Sequence, residues 1–244
     1  MSRRQLSAIT EVGDGIHFVE GPGSNWILLD NGESVSLVDT GYPADYDLVL
    51  GSIRAIGRDP HALQTILLTH GHSDHMGNAA RLSRAFGAVV LCDPRERPNV
   101  LRDELHQIGL REVLARIYDW RVVRWALAAV RAGGLRDVRM VAVETFVPTT
   151  TMALSGHRVR PIATAGHTPG HSGFWLMDAR LLITGDALVT AHPTSSRRGP
   201  QLLPQMFHAD AAAAVRALGA FSTVDPVLVL PGHGPAMRSA TVTA

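Results

Sequence analysis

The sequence of 244 residues contains a single cysteine, no lysine and no long apolar run. With one thiol, Cys92, no intrachain disulfide can form, and its place after the apolar run 88–91 predicts a buried structural thiol. Because all 23 basic residues are arginines, Schiff-base chemistry on lysine is excluded. No stretch reaches the roughly 18 apolar residues that a membrane span needs, so we expect a cytoplasmic protein.

The sequence also lacks an excess of charge of either sign. Its formal net charge is +1, so nothing draws the whole molecule to nucleic acid or to an anionic membrane. Hydrophobic residues make up 45% of the chain, which is ample for one large core. We therefore expect a single domain over residues 1–244. The composition leaves the oligomeric state undefined.

A cluster of metal-binding side chains directly follows the apolar run Ile66–Leu68. His70, His72, Asp74 and His75 form an H-x-H-x-D-H hexapeptide. Imidazole nitrogens and carboxylate oxygens are ligands that zinc and similar divalent metals accept. In extended backbone the first two histidines project to the same side, and the last two residues come where a helix is expected to begin. One hexapeptide can therefore start two adjacent metal sites.

Three further candidate ligands lie after strand-like runs in the second half of the chain. His167 follows the run 159–163, Asp186 follows 181–184 and His233 follows 227–230. Side chains at strand ends are held by rigid elements and remain open to solvent. We therefore expect these residues to complete the metal site.

Short strands and helices are mixed along both halves of the chain. Apolar runs bounded by turn residues predict strands at Ile16–Val19, Trp26–Leu29, Val35–Val38, Ile66–Leu68, Ala88–Leu91, Thr145–Val147, Val159–Ala163, Gly173–Met177, Leu181–Thr184 and Val227–Leu230. Helical spacing predicts helices at Asp45–Ile56, Met76–Phe86 and Ala209–Phe221. This pattern establishes a mixed α/β fold and is typical of a two-sheet sandwich with helices outside.

The Arg-rich segment 94–143 differs from the rest. Its apolar spacing predicts helices at Val100–Ile117 and Trp120–Ala132, the first with an apolar stripe that includes Leu105 and Ile117. One interpretation is a helical insertion packed on the sandwich, and the other is a cap over the metal site whose Trp120 and Trp125 line a substrate pocket. The loop Thr190–Phe207 is a second candidate pocket wall. Its pair Arg197 and Arg198 either binds an anionic group or is simply solvated.

These motifs occur in an order that resembles the metallo-β-lactamase-fold hydrolase superfamily: Asp39 in L-V-D-T-G, the H-x-H-x-D-H hexapeptide, then His167, Asp186 and His233. The resemblance extends from about Ile16 to Pro235. It implies a four-layer αββα sandwich, with the segment 94–143 as a helical insertion.

The resemblance also implies a role for each residue. One metal would be held by His70, His72 and His167, the second by Asp74, His75 and His233, and Asp186 would bridge the two. Asp39 would support the ligands from behind. His171 could donate a hydrogen bond to the site without being a ligand.

This ligand set resembles those of hydroxyacylglutathione hydrolases and acyl-homoserine lactonases. It implies two divalent ions, with zinc expected and iron or manganese as alternatives. The expected reaction is hydrolysis of a carboxylic ester, thioester or lactone by a hydroxide held between the metals. Asp74 would be both a ligand and the catalytic proton carrier.

The sequence leaves other functions open. Phosphodiester or RNA cleavage uses the same dinuclear chemistry, and the Arg-rich segment keeps this alternative open. A sulfur dioxygenase would hold one iron on His70, His167 and Asp186. A non-catalytic binding module is disfavoured, because such a protein has no need of seven ligands.

Overall fold

A computed structural model describes residues 4–239, so both ends of the expected domain lie outside the described residues. Within this range the strands are β1 (Ala8–Gly13), β2 (Ile16–Glu20), β3 (Asn25–Asp30), β4 (Val35–Val38), β5 (Leu63–Leu67), β6 (Val89–Cys92), β7 (Glu144–Thr145), β8 (Met152–Leu154), β9 (His157–Ala163), β10 (Ser172–Leu176), β11 (Leu181–Gly185), β12 (Leu228–Pro231) and β13 (Met237–Arg238). The helices are α1 (Tyr46–Ala55), α2 (Ala79–Phe86), α3 (Arg97–Leu101), α4 (Leu110–Leu114), α5 (Trp120–Arg131) and α6 (Ala211–Ala217).

The strands form two mixed sheets. The first has the order β1-β2-β3-β4-β5-β6-β7, and it is antiparallel up to β4 and parallel from there on. The second has the order β13-β12-β11-β10-β9-β8, with β11 and β12 as its parallel pair. In both sheets a parallel pair lies next to the loops that carry the candidate ligands.

Three apolar clusters separate four layers. Between the sheets, Phe18 and Ile27 pack with Phe174 and Ile183. On the outer face of the first sheet, α1 and α2 cover the strands, and on the outer face of the second sheet, Phe221 and its neighbours do so. Helices therefore lie outside two stacked sheets, which confirms the expected αββα sandwich.

The strand β3 shows why these residues form a buried sheet. Trp26 and Leu28 pack toward the helices, whereas Ile27 and Leu29 pack between the sheets. Successive side chains of a strand point to opposite faces, so a strand that is apolar at four successive positions, 26–29, is buried on both sides. These four residues could not be accommodated at a solvated sheet face.

The predicted helix Val100–Ile117 is wrong. The chain instead leaves α3 at Arg102, whose φ of 62° is left-handed, and it becomes helical again only at Leu110. The guanidinium of Arg102 donates to the carbonyl oxygens of Gly71 at 2.7 Å and Asn99 at 2.9 Å. This long-range contact holds a conformation that apolar spacing could not indicate. Leu105 and Ile117, expected in an apolar stripe, are 64% and 63% exposed.

Two other helices have different ends from those predicted. The helix predicted from Met76 begins at Ala79, because residues 73–78 form turns around the hexapeptide. The helix predicted over Ala209–Phe221 is α-helical only to Ala217 and continues as a 3₁₀ turn to Thr223. The short strands β1, β8 and β13 were not predicted. Cys92 is buried as expected, and burial raises the pKa of its thiol to about 12.

No helix among residues 4–239 is long and apolar enough to cross a membrane.

Replacing Phe174 with alanine should lower the free energy of unfolding by about 3–5 kcal/mol, because it empties a ring-sized volume between the sheets. Leu105→Ala is the matched control and should change it by less than about 0.5 kcal/mol, since that side chain faces water. Urea unfolding at fixed metal content measures both. A large effect of Leu105→Ala would instead support the predicted apolar stripe, in which this side chain is buried.

Candidate metal centre

All seven predicted ligands lie at one edge of the sandwich, in loops that follow strands of both sheets. They are distributed as follows: His70, His72, Asp74 and His75 after β5, His167 after β9, Asp186 after β11, and His233 after β12. Their ligand atoms fall into three overlapping groups, each spanning no more than 4.8 Å: His70 with His72 and His167; His70 with His75 and Asp186; and Asp74 with His75 and His233.

Asp186 lies at the centre of the cluster. Its Oδ2 is 3.5 Å from Nε2 of His167 and 3.2 Å from Nε2 of His233, and its Oδ1 is 3.4 Å from Nε2 of His75. On the other side of His233, Oδ2 of Asp74 is 3.4 Å from the same Nε2. Among the carboxylates of the described residues, Asp186 is therefore the one in contact with histidines of both expected metal groups.

Hydrogen bonds outside the cluster fix which ring nitrogens face inward. His72 donates from Nε2 to the carbonyl oxygen of His106, His233 donates from Nδ1 to that of Gly23, and His75 donates from Nδ1 to the carboxylate of Asp39. These oxygens only accept, so the bonded nitrogen carries the proton. In the neutral ring the other nitrogen then presents a lone pair to the cluster.

His70 is oriented by a relay of two side chains. The hydroxyl of Thr69 donates to Oδ2 of Asp39 at 2.7 Å and lies 3.0 Å from Nδ1 of His70. With its own proton directed to Asp39, this hydroxyl accepts from Nδ1 of His70. The remaining Nε2 is therefore unprotonated. Asp39 thus supports two histidines from behind, as expected.

His167 is oriented by His208, a residue that was not among the predicted site residues. Nε2 of His208 donates to the carbonyl oxygen of Leu203, so its Nδ1 accepts, and Nδ1 of His167 lies 3.3 Å away as the donor. Nothing in the local sequence around His208 indicates this role, because the two rings are brought together by the fold.

The donor set fits a metal cation. Two buried atoms, Nε2 of His70 and Oδ1 of Asp186, have no hydrogen-bond partner among the described residues, and an unpaired buried acceptor is costly. Ring nitrogens with inward lone pairs also lie close together: Nδ1 of His72 is 3.0 Å from Nε2 of His167. A cation among these atoms would satisfy the unpaired acceptors and separate the rings.

The two expected metal groups differ in their proton affinity. Burial, together with neighbouring histidines, lowers the pKa of His70 and His167 well below the usual value. Burial acts the same way at His75 and His233, but Asp186 and Asp74 outweigh it: the pKa of His75 is raised well above the usual value and that of His233 to about 9. Without a cation, positive charge therefore concentrates in the second group.

His171 contacts the backbone of Asp186 and is not itself one of the candidate ligands. Its Nε2 accepts from the backbone N–H of Asp186 at 3.0 Å, and its Nδ1 therefore donates to the Thr164 hydroxyl at 2.8 Å. The expected hydrogen bond toward the site exists with reversed polarity, since the ring accepts it. Burial lowers the pKa of His171 to about 3, which keeps the ring neutral.

Glu96 joins the two loops that carry the first group, and no sequence pattern indicated this role either. Its fully buried carboxylate accepts from the backbone N–H groups of Gly71 and Gly170 and from the Thr168 hydroxyl, at 2.7–2.9 Å, and from the side chain of Asn99. Gly71 lies between two candidate ligands, and Thr168 follows a third. Glu96 therefore sets the distance between these loops.

The absence of a side chain at Gly232 leaves room for the side chains of the second group to lie close together. A Cβ at this position would lie 2.3 Å from Oδ1 of Asp186 and 2.9 Å from Cε1 of His75. Any other residue would push these side chains apart.

The cluster opens into a cavity of about 410 Å³. Its walls come from the insertion, through residues such as Ile108, Val113 and Trp125, and from the loop after β11, through Leu203 and Phe207. Among the described residues, none of those that line it is an arginine. Both predicted pocket walls are therefore present.

The other candidate pocket residues lie elsewhere. Trp120 is 58% exposed and stacks with Arg121 and Arg124 rather than lining the cavity. Arg198 lines a separate, more polar cavity of about 310 Å³ that shares His192 and His233 with the first, and Arg197 is exposed.

A comparison with known families matches residues 19–233 to the family described as the metallo-beta-lactamase superfamily. The chain belongs to the metallo-β-lactamase superfamily. The expected enzyme class, a metal-dependent hydrolase of this superfamily, is thereby confirmed, and its His and Asp clusters are suited to divalent metals.

Relatives and solved structures agree with this membership. The chain is 26% identical over 218 residues to the probable metallo-hydrolase YybB of Bacillus subtilis (strain 168), covering 87% of this chain and 81% of that protein. It is 29% identical over 209 residues to a hydroxyacylglutathione hydrolase of Acidiphilium cryptum (strain JF-5), covering 85% and 63%. A metallo-β-lactamase family protein from Thermus thermophilus superposes with a TM-score of 0.69 at 21% identity, covering 96% and 78%, which supports the fold.

Lowering the pH should remove cations from the second group before the first. Protons and cations compete for the same ring nitrogens. Because the pKa values of His75 and His233 are raised, protons displace a cation from these rings at higher pH. At His70 and His167, whose pKa values are lowered, protons do so only at lower pH. Elemental analysis after equilibration from about pH 8 to about pH 4 should show two steps.

His233→Asn serves as the reference for this experiment, because it weakens the second group and should leave only the later step. Loss of all metal in one step, or earlier loss in wild type than in the variant, would contradict the assignment.

Proposed function

We propose that this protein is a dinuclear metallo-hydrolase of carboxylic esters, thioesters or lactones whose acyl or aryl part is apolar. The observation that carries this proposal is the junction of the metal-binding cluster with an apolar cavity whose lining, within residues 4–239, includes no arginine. A substrate with its scissile carbonyl at the cluster would place its apolar part against the insertion.

The side chains are assigned to two ions. His70, His72 and His167 would hold one, Asp74, His75 and His233 the other, and Asp186 would contact both. When bound, such ions lower the pKa of water toward neutrality and polarise a carbonyl oxygen. A carboxylate between them offsets their mutual repulsion.

Asp74 is assigned to carry a proton during turnover. Both carboxylates line the cavity, but the side chain of Asp74 is 16% exposed and that of Asp186 only 3%. Asp74 is thus the more accessible of the two to a substrate. Its Oδ atoms can take a proton from the attacking water and release it to the leaving atom.

The insertion is assigned to bind the apolar part of the substrate and to exclude water. Trp125 packs against Phe207 with ring centroids 5.0 Å apart, and both line the cavity. The segment 94–143 thus acts as a cap, while its remaining side chains pack on the sandwich.

The cavity lining favours a carboxylic ester over a phosphodiester. Besides metal ions, proteins commonly use arginine or lysine to neutralise the charge of a phosphodiester, and none of the described residues that line the cavity is either one. The two carboxylates of a glutathione carrier also find no cationic partner there. We therefore expect neutral esters, thioesters or lactones as better substrates than glutathionyl thioesters.

Protein purified without chelator should contain close to two equivalents of divalent metal per chain. The variant Asp186→Ala should bind less metal, and its kcat should fall by at least about 100-fold. Both effects are expected because the cluster loses the carboxylate that separates its histidines. Elemental analysis and single-substrate kinetics measure this. One iron per chain that cannot be supplemented would favour a sulfur dioxygenase instead.

The affinity for substrate should rise along an acyl-chain series of aryl esters, thioesters and lactones, by up to about fourfold for each added methylene. Trp125→Ala should raise KM for long chains and leave short ones nearly unchanged. Trp120→Ala is the matched control and should alter neither. No turnover of any ester, with hydrolysis of bis(p-nitrophenyl) phosphate, would reject the proposal.

A further inference from the structure

One histidine of the cavity is neither a candidate ligand nor a support for one. His192 lies in the loop after β11 and is 7% exposed. Its ring is 5.0 Å from that of His233 and 5.1 Å from that of Phe207, measured between centroids. It lines both the apolar cavity and the polar cavity beside it. His192 therefore lies where the apolar wall meets the metal-binding cluster.

The hydrogen bonds of His192 fix its tautomer. The backbone N–H of Thr194 donates to Nδ1 at 3.3 Å, and the hydroxyl of the same residue lies 2.7 Å from that nitrogen. A backbone N–H can only donate, so Nδ1 is an acceptor and the proton of the neutral ring is on Nε2. Within residues 4–239, Nε2 makes no hydrogen bond, so a donor is available beside the cluster.

We propose that the Nε2–H of His192 donates a hydrogen bond to the carbonyl oxygen of the scissile acyl group. This inference rests on the proposed function. If the acyl chain fills the apolar cavity and the carbonyl carbon lies at the cluster, the carbonyl oxygen is placed at the junction that His192 occupies. A fixed donor at this point stabilises negative charge that develops on that oxygen.

His192 acts as a donor and not as an acid. In hydrolysis the water oxygen bonds to the acyl carbon, the bond to the leaving group breaks, and the leaving atom keeps the electron pair and takes a proton. If His192 supplied that proton, Nδ1 would have to receive another, yet it faces the N–H of Thr194. The ring therefore keeps its proton throughout, and Asp74 remains the carrier.

The decisive variant is His192→Phe, which keeps a ring of similar size and removes the donor. Its kcat for a medium-chain aryl ester should fall about 100-fold, with KM, metal content and melting temperature close to those of wild type. His192→Gln offers a side-chain N–H and should recover part of the loss. His17→Phe, on β2 outside the cavity, controls for the general effect of the substitution.

A second readout does not depend on activity. In nitrogen-15 spectra of the metal-loaded protein, the ring of His192 should show a protonated Nε2 and an unprotonated Nδ1. Its signals are assigned by their absence from His192→Phe or His192→Gln, whichever folds. Adding a non-hydrolysable ketone analogue of the substrate should shift Nε2 and leave Nδ1 nearly unchanged.

Two results would overturn the proposal: a folded, metal-replete His192→Phe protein whose kcat is within about threefold of wild type, or the opposite tautomer of the His192 ring in the wild-type protein. These outcomes are distinct from failure of the proposed function, in which wild type itself would hydrolyse no ester.

Discussion

The metal centre depends on hydrogen bonds made behind its histidines. An imidazole turns a lone pair inward only if its other nitrogen finds an acceptor, and the fold supplies one for each ring. Backbone carbonyl oxygens serve His72 and His233, the carboxylate of Asp39 serves His75, and Thr69 relays the same carboxylate to His70. The acceptors come from distant parts of the chain, so the arrangement of the cluster follows from the packing of both sheets.

Buried carboxylates extend this arrangement to the loops. Glu96 is fully buried, and it accepts four hydrogen bonds from three segments of the chain. A buried charge is costly unless it is paired or fully hydrogen-bonded, and here the bonds satisfy both oxygens. Glu96 also directly precedes α3, where the insertion begins. The cap and the ligand loops are therefore joined at one side chain.

Local patterns were sufficient to predict a mixed α/β fold and to single out the seven candidate ligands, whereas the four-layer αββα arrangement followed from the resemblance to the superfamily. Strand-like apolar runs end just before each candidate ligand, and the parallel strands bring those ends to one edge. The supporting residues Glu96 and His208 could not be found in this way, since their roles arise from contacts across about 70 and 40 residues of sequence. The helix expected over 100–117 failed for the same reason, because Arg102 takes its conformation from Gly71.

Asp39 shows how narrowly one position can be restricted by its surroundings. Its φ of 61° is left-handed, a conformation that glycine, asparagine and aspartate tolerate best. Its carboxylate receives hydrogen bonds from the N–H and hydroxyl of Thr69 and from His75, so every neighbour donates. Glycine has no acceptor, and asparagine would turn an NH₂ group toward a donor. Backbone geometry and hydrogen-bond polarity, acting independently, therefore both favour aspartate at this position.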